Sequence, residues 1–246
     1  MIRIENINKR FRRLQALSDI KAELKKGQVI SLIGPNGSGK TTLIKTILGL
    51  VKPDSGQIYF DDVAINENVL YKKQIGYMPQ IGRYPDNMKI GQLFSMIKNL
   101  REQKNLDEEL YYKFRLDTIL DKSMRSLSGG TRQKVSAALA FLFDAGVLIL
   151  DEPTAGLDPL SAEILKEKIL AEKEKGKLIL ITSHILSDLE ELTTDVIYMQ
   201  EGKMIFYRTM KDIQEETGEE KLSKAIAWMM KHTLHKKDIS YLKIAK

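Results

Sequence analysis

The sequence predicts an α/β fold: a mostly parallel sheet with helices on both faces, carrying an antiparallel β subdomain and a helical insertion. Aliphatic and β-branched runs recur at Val29–Ile33, Val147–Leu150, Leu178–Thr182 and Val196–Met199, with helical periodicity between them at Thr41–Leu50 and Ala162–Glu174. Alternation of strand and helix is the pattern of parallel βαβ units. Short apolar runs such as Val147–Leu150, which do not alternate, suit central strands buried on both faces. Roughly the first 25 residues and the stretch Gln57–Ile65 instead alternate at period 2, which predicts the small antiparallel sheet.

The remaining elements follow in order. Residues Ile90–Lys122 place Leu93, Ile97 and Leu100 at helical spacing among many charges, and form the expected helical insertion. The most hydrophobic region, Val135–Leu150, is broken by Ser136, Asp144 and Gly146. A membrane-spanning helix needs about 20 mostly apolar residues. A buried helix, a turn and a buried strand are expected there instead. The opening Met1-Ile2-Arg3-Ile4-Glu5 alternates apolar with polar residues and lacks the apolar stretch of a secretory signal. Met199-Gln200-Glu201-Gly202-Lys203-Met204 reads as a hairpin turn.

Length and composition bound the function. A chain of 246 residues, 43% hydrophobic, buries a full core, and the absence of cysteine excludes a disulfide scaffold or a thiolate metal site. The net charge of +6 suggests a polyanion partner until it is located. Residues 221–246 hold seven lysines against the single acid Asp238, which is the whole excess, so the first 220 residues are balanced. No nucleic-acid partner is expected. Within Lys221–Leu234, the residues Leu222, Ile226, Met229 and Met230 fall at helical spacing with lysines opposite. That predicts a terminal helix packed on the core and a solvated basic end. The sharper alternative is contact with anionic headgroups, at ~1 kcal/mol per well-placed lysine.

Three motifs carry chemistry. Gly34-Pro35-Asn36-Gly37-Ser38-Gly39-Lys40-Thr41-Thr42 lies between a predicted strand and a predicted helix, the setting of a phosphate-binding loop and thus of a P-loop NTPase core. Its glycines let successive N–H groups point at phosphate oxygens. Lys40 would reach the β- and γ-phosphates, and the Thr41 hydroxyl would ligate Mg²⁺. Asp151 and Glu152 end an apolar strand, where Asp151 can hold Mg²⁺ through water and Glu152 can polarise a water for attack. Leu127-Ser128-Gly129-Gly130 opens a long helix and offers N–H groups to an anion, although an ordinary helix start looks the same.

Together with Ala155-Gly156-Leu157-Asp158 and His184, these motifs come in the order found in the ATP-binding-cassette family, which the chain resembles over roughly residues 1–215. The resemblance implies an ATP-binding domain over 1–217, with a helical subdomain at about 84–134, and a basic helix or tail over 218–246. It implies a head-to-tail dimer of two cassettes that sandwiches ATP and Mg²⁺. Ser128, Gly129 and Gly130 would then act on the partner's nucleotide, and Asp158 would link the two sites. Phe11 stands where the family stacks an aromatic on adenine, with Arg12 and Arg13 near enough to shift the exact platform; a core phenylalanine is the competing reading. Gln80, in Tyr77-Met78-Pro79-Gln80, matches the glutamine that senses Mg²⁺ and the attacking water, and His184 matches the histidine that contacts the γ-phosphate. Thr131 departs from the glutamine of many importers.

The resemblance implies an ATPase subunit, on the cytoplasmic side of the membrane, that powers a separate transmembrane permease. Such a chain is peripheral. Arg83-Tyr84-Pro85-Asp86-Asn87-Met88-Lys89-Ile90 is similar to export-type cassettes paired with six-span permeases. With Ile75–Gln80 it is also similar to the ATPase of a membrane complex that matures copper-containing nitrous oxide reductase. A soluble single cassette, as in iron–sulfur cluster assembly, is the alternative.

Overall fold

The computed structural model describes residues 1–101 and 105–232. The chain opens with strands β1 (Ile2–Phe11) and β2 (Leu14–Leu24), then β3 (Val29–Ile33) and helix α1 (Lys40–Ile47). Strands β4 (Ser55–Phe60), β5 (Val63–Ala64) and β6 (Ile75–Met78) follow, then helices α2 (Ile90–Arg101), α3 (Glu109–Lys113) and α4 (Gly129–Phe141). The last third runs β7 (Val147–Asp151), α5 (Pro159–Glu174), β8 (Leu178–Thr182), β9 (Asp195–Gln200), β10 (Lys203–Thr209) and α6 (Met210–Thr217).

These strands form two sheets, one of six strands in the order β10-β9-β3-β8-β7-β6 and one of four in the order β2-β1-β4-β5. The larger is parallel except for β10, which returns antiparallel to β9 through the expected hairpin. That turn places Glu201 (φ 49°) and Gly202 (φ 75°) in left-handed conformations, whose twist matches a two-residue hairpin. The smaller sheet is antiparallel throughout.

The uninterrupted apolar runs have the anticipated cause. Leu148, Leu150, Ile179, Ile181, Val196 and Tyr198 point into one core, which α2–α5 cover. Their neighbours Val147, Ile149, Leu178, Leu180, Ile197 and Met199 point into the other. There α1 contributes Leu43, Ile44 and Ile47, and the antiparallel sheet contributes Ile4, Ile7, Leu17, Ile20 and Ile58. Helices thus lie on both faces, but on the second face a sheet covers most of the core. Each fully buried Leu or Ile adds about 1.5–3 kcal/mol of transfer free energy.

Two expectations need correction. Helix α1 stops at Ile47, short of Leu50, because the chain reverses around Gly49 (φ 64°). The Leu50 N–H returns to the Lys45 carbonyl at 2.8 Å and that of Gly49 to Thr46 at 3.0 Å, so the last carbonyls are capped. The insertion is less continuous than its periodicity suggests. Helix α3 spans five residues, and the stretch before α4 is made of short 3-10 turns at Leu116–Ile119 and Met124–Ser126.

Residues 222–232 are helical. Leu222, Ala225, Ile226 and Met229 are buried in the first core, while Lys221, Lys224 and Lys231 are exposed. The described part of the tail therefore packs as the periodicity predicts; Leu234, Lys236, Lys237, Lys243 and Lys246 lie outside the described residues. No helix among the described residues is long and apolar enough to cross a membrane.

Candidate functional site

A cleft opens at the carboxyl ends of the parallel strands, where open α/β sheets take their ligands. The chain leaving β3 supplies Asn36, Gly37, Ser38, Gly39, Lys40, Thr41 and Thr42; the chain after β6 supplies Gln80; the end of β7 supplies Asp151 and Glu152; the chain after β8 supplies His184. These strands are neighbours in the sheet, so residues up to 148 positions apart converge on one cleft.

The loop is held tight against the sheet. A side chain at Gly34 (φ 153°) would bring its Cβ within 2.1 Å of the Met199 carbonyl oxygen, so only glycine fits. Lys40 Nζ donates to the carbonyls of Gly34 (2.7 Å) and Pro35 (3.0 Å). The first turn of α1 carries no acid, which leaves the positive end of its dipole uncancelled. The Ser38 hydroxyl is buried without a hydrogen-bond partner, an arrangement costly unless an anion reaches it. The loop therefore fits a polyphosphate.

The carboxylates are held differently. Asp151 is buried, and its Oδ1 accepts from the Thr182 hydroxyl at 2.5 Å. The same hydroxyl accepts the Glu152 N–H at 3.0 Å, so Thr182 fixes both residues. Burial pushes the Asp151 carboxyl above the usual carboxylate range; the Thr182 hydrogen bond opposes it, Glu152 reinforces it, and Lys40 and Lys45 oppose it. Burial likewise lowers the Lys40 ammonium, with Glu152 and Asp151 opposing. A carboxyl raised in the fold favours folding most when protonated, and this contribution is lost as pH rises through the raised value. At neutral pH the Asp151 charge thus burdens the nucleotide-free protein. Asp151→Asn, which keeps an acceptor for the Thr182 hydroxyl and removes the buried charge, should raise its melting temperature. Calorimetry with and without nucleotide measures this.

Glu152 sits at φ 52°, a left-handed conformation that costs a non-glycine residue about 1–3 kcal/mol and that clusters at active sites. Its Oε1 lies 2.7 Å from Nε2 of His184. Among the described residues no group of three or more His, Cys, Asp or Glu side chains forms a ready metal site. Magnesium seldom uses such a cage, taking one or two carboxylates together with substrate phosphates and water. Thr41 and Asp151 facing a polyphosphate loop suit that chemistry.

The structure separates the other candidates from this cleft. Ser128 is exposed and caps α4, its Oγ accepting from the Thr131 N–H at 3.2 Å. Gly129 is exposed and Gly130 half-buried. Asp158 caps α5 and pairs with Lys134 at 2.8 Å. The Lys134 ammonium, with the N–H and hydroxyl of Ser161, holds the Asp158 carboxyl well below its ordinary range. None of these four residues lines the cleft.

Phe11 is 45% exposed on the cleft wall rather than in the core, and Lys9 Nζ lies 5.3 Å from its ring centroid. Leu14 and Ala16 share that wall and escaped the sequence reading. The usable signal was the two-residue turn Arg12-Arg13, which pairs Phe11 with Leu14 across the hairpin and brings both to one place.

Residues 17–155, more than half of the chain, match the ABC transporter family. The chain belongs to the ABC transporter family. It is an ATP-binding subunit of that family, a cassette ATPase whose hydrolysis is coupled to transport. It is 32% identical over 229 residues to an uncharacterized ABC transporter ATP-binding protein, YhaQ, of Bacillus subtilis, covering 91% of this chain and 76% of that one. It is 34% identical to the lantibiotic transport ATP-binding protein SrtF of Streptococcus pyogenes (83% and 89% covered). It is equally 34% identical to a probable sulfate/thiosulfate import ATP-binding protein, CysA, of Chlorella vulgaris (87% and 93% covered). The solved structure of an ATP-binding subunit of an ABC transporter superposes with a TM-score of 0.82 at 27% identity, covering 92% of this chain and 98% of that one. At 22% identity and a TM-score of 0.75, a dimeric post-hydrolysis cassette, MJ0796 bound to ADP and phosphate, shares the fold (85% and 99% covered).

Proposed function

We propose that the chain is the ATPase of an export-type transporter and works as a head-to-tail homodimer on the cytoplasmic face beneath a separate permease. One observation carries the dimer: the phosphate loop, Asp151, Glu152, Gln80 and His184 meet in one cleft, while Ser128–Gly130 and Asp158 lie outside it on accessible surface. A second copy turned head to tail would bring its Ser128, Gly129 and Gly130 to the γ-phosphate, with Asp158 at the seam. MJ0796, of the same fold, forms a dimer with ADP and phosphate.

The chemistry follows from the side chains. Phe11 stacks on adenine, and loop N–H groups with Lys40 grip the β- and γ-phosphates. Thr41 and Asp151, with Gln80 at the edge, would hold Mg²⁺, which when bound offsets the phosphate charge. Glu152 accepts the proton of a water as its oxygen attacks the γ-phosphorus; the bond from phosphorus to the β-bridging oxygen breaks, leaving ADP and phosphate. His184, donating from Nε2 to Glu152, orients the carboxylate and faces the γ-phosphate.

Export rests on the resemblance of Arg83–Ile90, and the nitrous-oxide-reductase copper-maturation subtype on the same segment with Ile75–Gln80. Ile81, directly after Gln80, is 62% exposed, and Met96 and Leu100 of α2 are also exposed, which suits docking of a short permease helix. Purifying the tagged chain from membranes and identifying its companion tests the proposal. A six-span permease that stimulates phosphate release is expected. Recovery with soluble iron–sulfur proteins alone would overturn it.

A further inference from the structure

We infer that Gln133 is a positioning residue for Glu152, through which the helix beginning at Ser128 sets the catalytic carboxylate of its own subunit. The inference rests on Glu152 being the proton acceptor proposed above. Glu152 holds a left-handed backbone that an L residue keeps only when its surroundings over-determine it. Its N–H is fixed by the Thr182 carbonyl at 3.1 Å and hydroxyl at 3.0 Å. Its carbonyl accepts from Nε2 of Gln133 at 3.1 Å, and the same nitrogen lies 3.4 Å from the Pro153 carbonyl. Both neighbours are acceptors, so only the donor end of the amide satisfies the site. Gln133 itself is buried, so this bond is shielded from water.

Gln133 belongs to α4, five residues beyond Ser128, and two more contacts fix that helix to the segment after Glu152. A Cβ at Gly130 would stand 2.7 Å from the Gly156 carbonyl oxygen, so the two backbones touch. Lys134 pairs with Asp158 at 2.8 Å. Residues 152–158 and the start of α4 therefore shift as one unit. When a second copy's phosphates engage Ser128–Gly130 of this chain, the resulting position of α4 is passed to Glu152 in this chain's own cleft. Gln133 is the link that reaches the carboxylate-bearing residue directly.

The test uses the full chain and steady-state phosphate release. Gln133→Met keeps volume and helix propensity but removes the donor. It should lower kcat about 10–100-fold, as expected when a reacting group is displaced by about an ångström, with KM for ATP within about threefold of wild type. In a Glu152→Gln background the same change should leave ATP-dependent dimerisation unaltered, because no proton acceptor remains to position. Gln133→Ala, which also lacks the donor and keeps high helix propensity without overfilling the site, gives the same readout should the methionine variant fail to fold. A kcat within threefold of wild type, or parallel losses of kcat, KM and dimerisation, overturns the inference. If Glu152→Gln itself hydrolyses ATP normally, the catalytic reading fails first. If Glu152→Gln is inactive and Gln133→Met is not impaired, the positioning role alone fails.

Discussion

Glu152→Gln is expected to bind ATP as tightly as the wild type while its turnover falls by about 10²-fold or more, the scale of a lost general base. The substitution preserves volume and leaves the backbone hydrogen bonds of residue 152 in place, since these come from Thr182 and Gln133 rather than from the carboxylate. In the proposed mechanism it removes the acceptor for the water's proton. It also removes a negative charge beside the phosphate loop, which should favour the closed, ATP-loaded dimer of the proposed cycle. In the proposed cycle ATP closes the dimer and hydrolysis opens it, so the variant should accumulate as a nucleotide-loaded dimer. Phosphate release and size exclusion with ATP present measure both effects. Wild-type turnover in this variant would remove Glu152 from the mechanism.

Lys40→Ala should fail at the step before. Its ammonium spans the phosphate loop between the carbonyls of Gly34 and Pro35 and stands near Asp151 and Glu152. Hydrogen bonds to charged groups contribute about 1.5–3 kcal/mol each. Losing them to the β- and γ-phosphates should weaken ATP binding by roughly 10–100-fold. Fold stability should change little, because the side chain is only half-buried. Titration with a fluorescent nucleotide, beside a melting curve, separates the two. The contrast between variants is the useful result, since Glu152→Gln retains ATP and Lys40→Ala loses it. An affinity within threefold of wild type for Lys40→Ala would mean that the ammonium does not touch phosphate.

The sequence was most legible where a local pattern has one physical solution. Central strands read as unbroken apolar runs because both faces are covered, and Leu178–Thr182 matches to the residue. The glycine loop with its lysine was legible because curling a backbone around phosphate needs those residue types in one short stretch. Asp151 and Glu152 were legible because strand carboxyl ends face the cleft in this fold. Boundaries were less so: α1 ends three residues before its periodicity does, since a cap around Gly49 intervenes.

Tertiary structure alone decided what depends on approach between distant segments. It put His184 Nε2 against Glu152 Oε1, 32 positions apart, and brought Leu14 and Ala16 to the cleft wall. It tied Gln133 to the Glu152 carbonyl. Period and spacing encode which face of an element is apolar, so the sequence by itself determined the main elements and the place of the glycine loop between a strand and a helix. A hydrogen bond between two helix or strand ends depends on how the sheet orders its strands and how closely backbones approach, and that geometry exists only in the packed molecule.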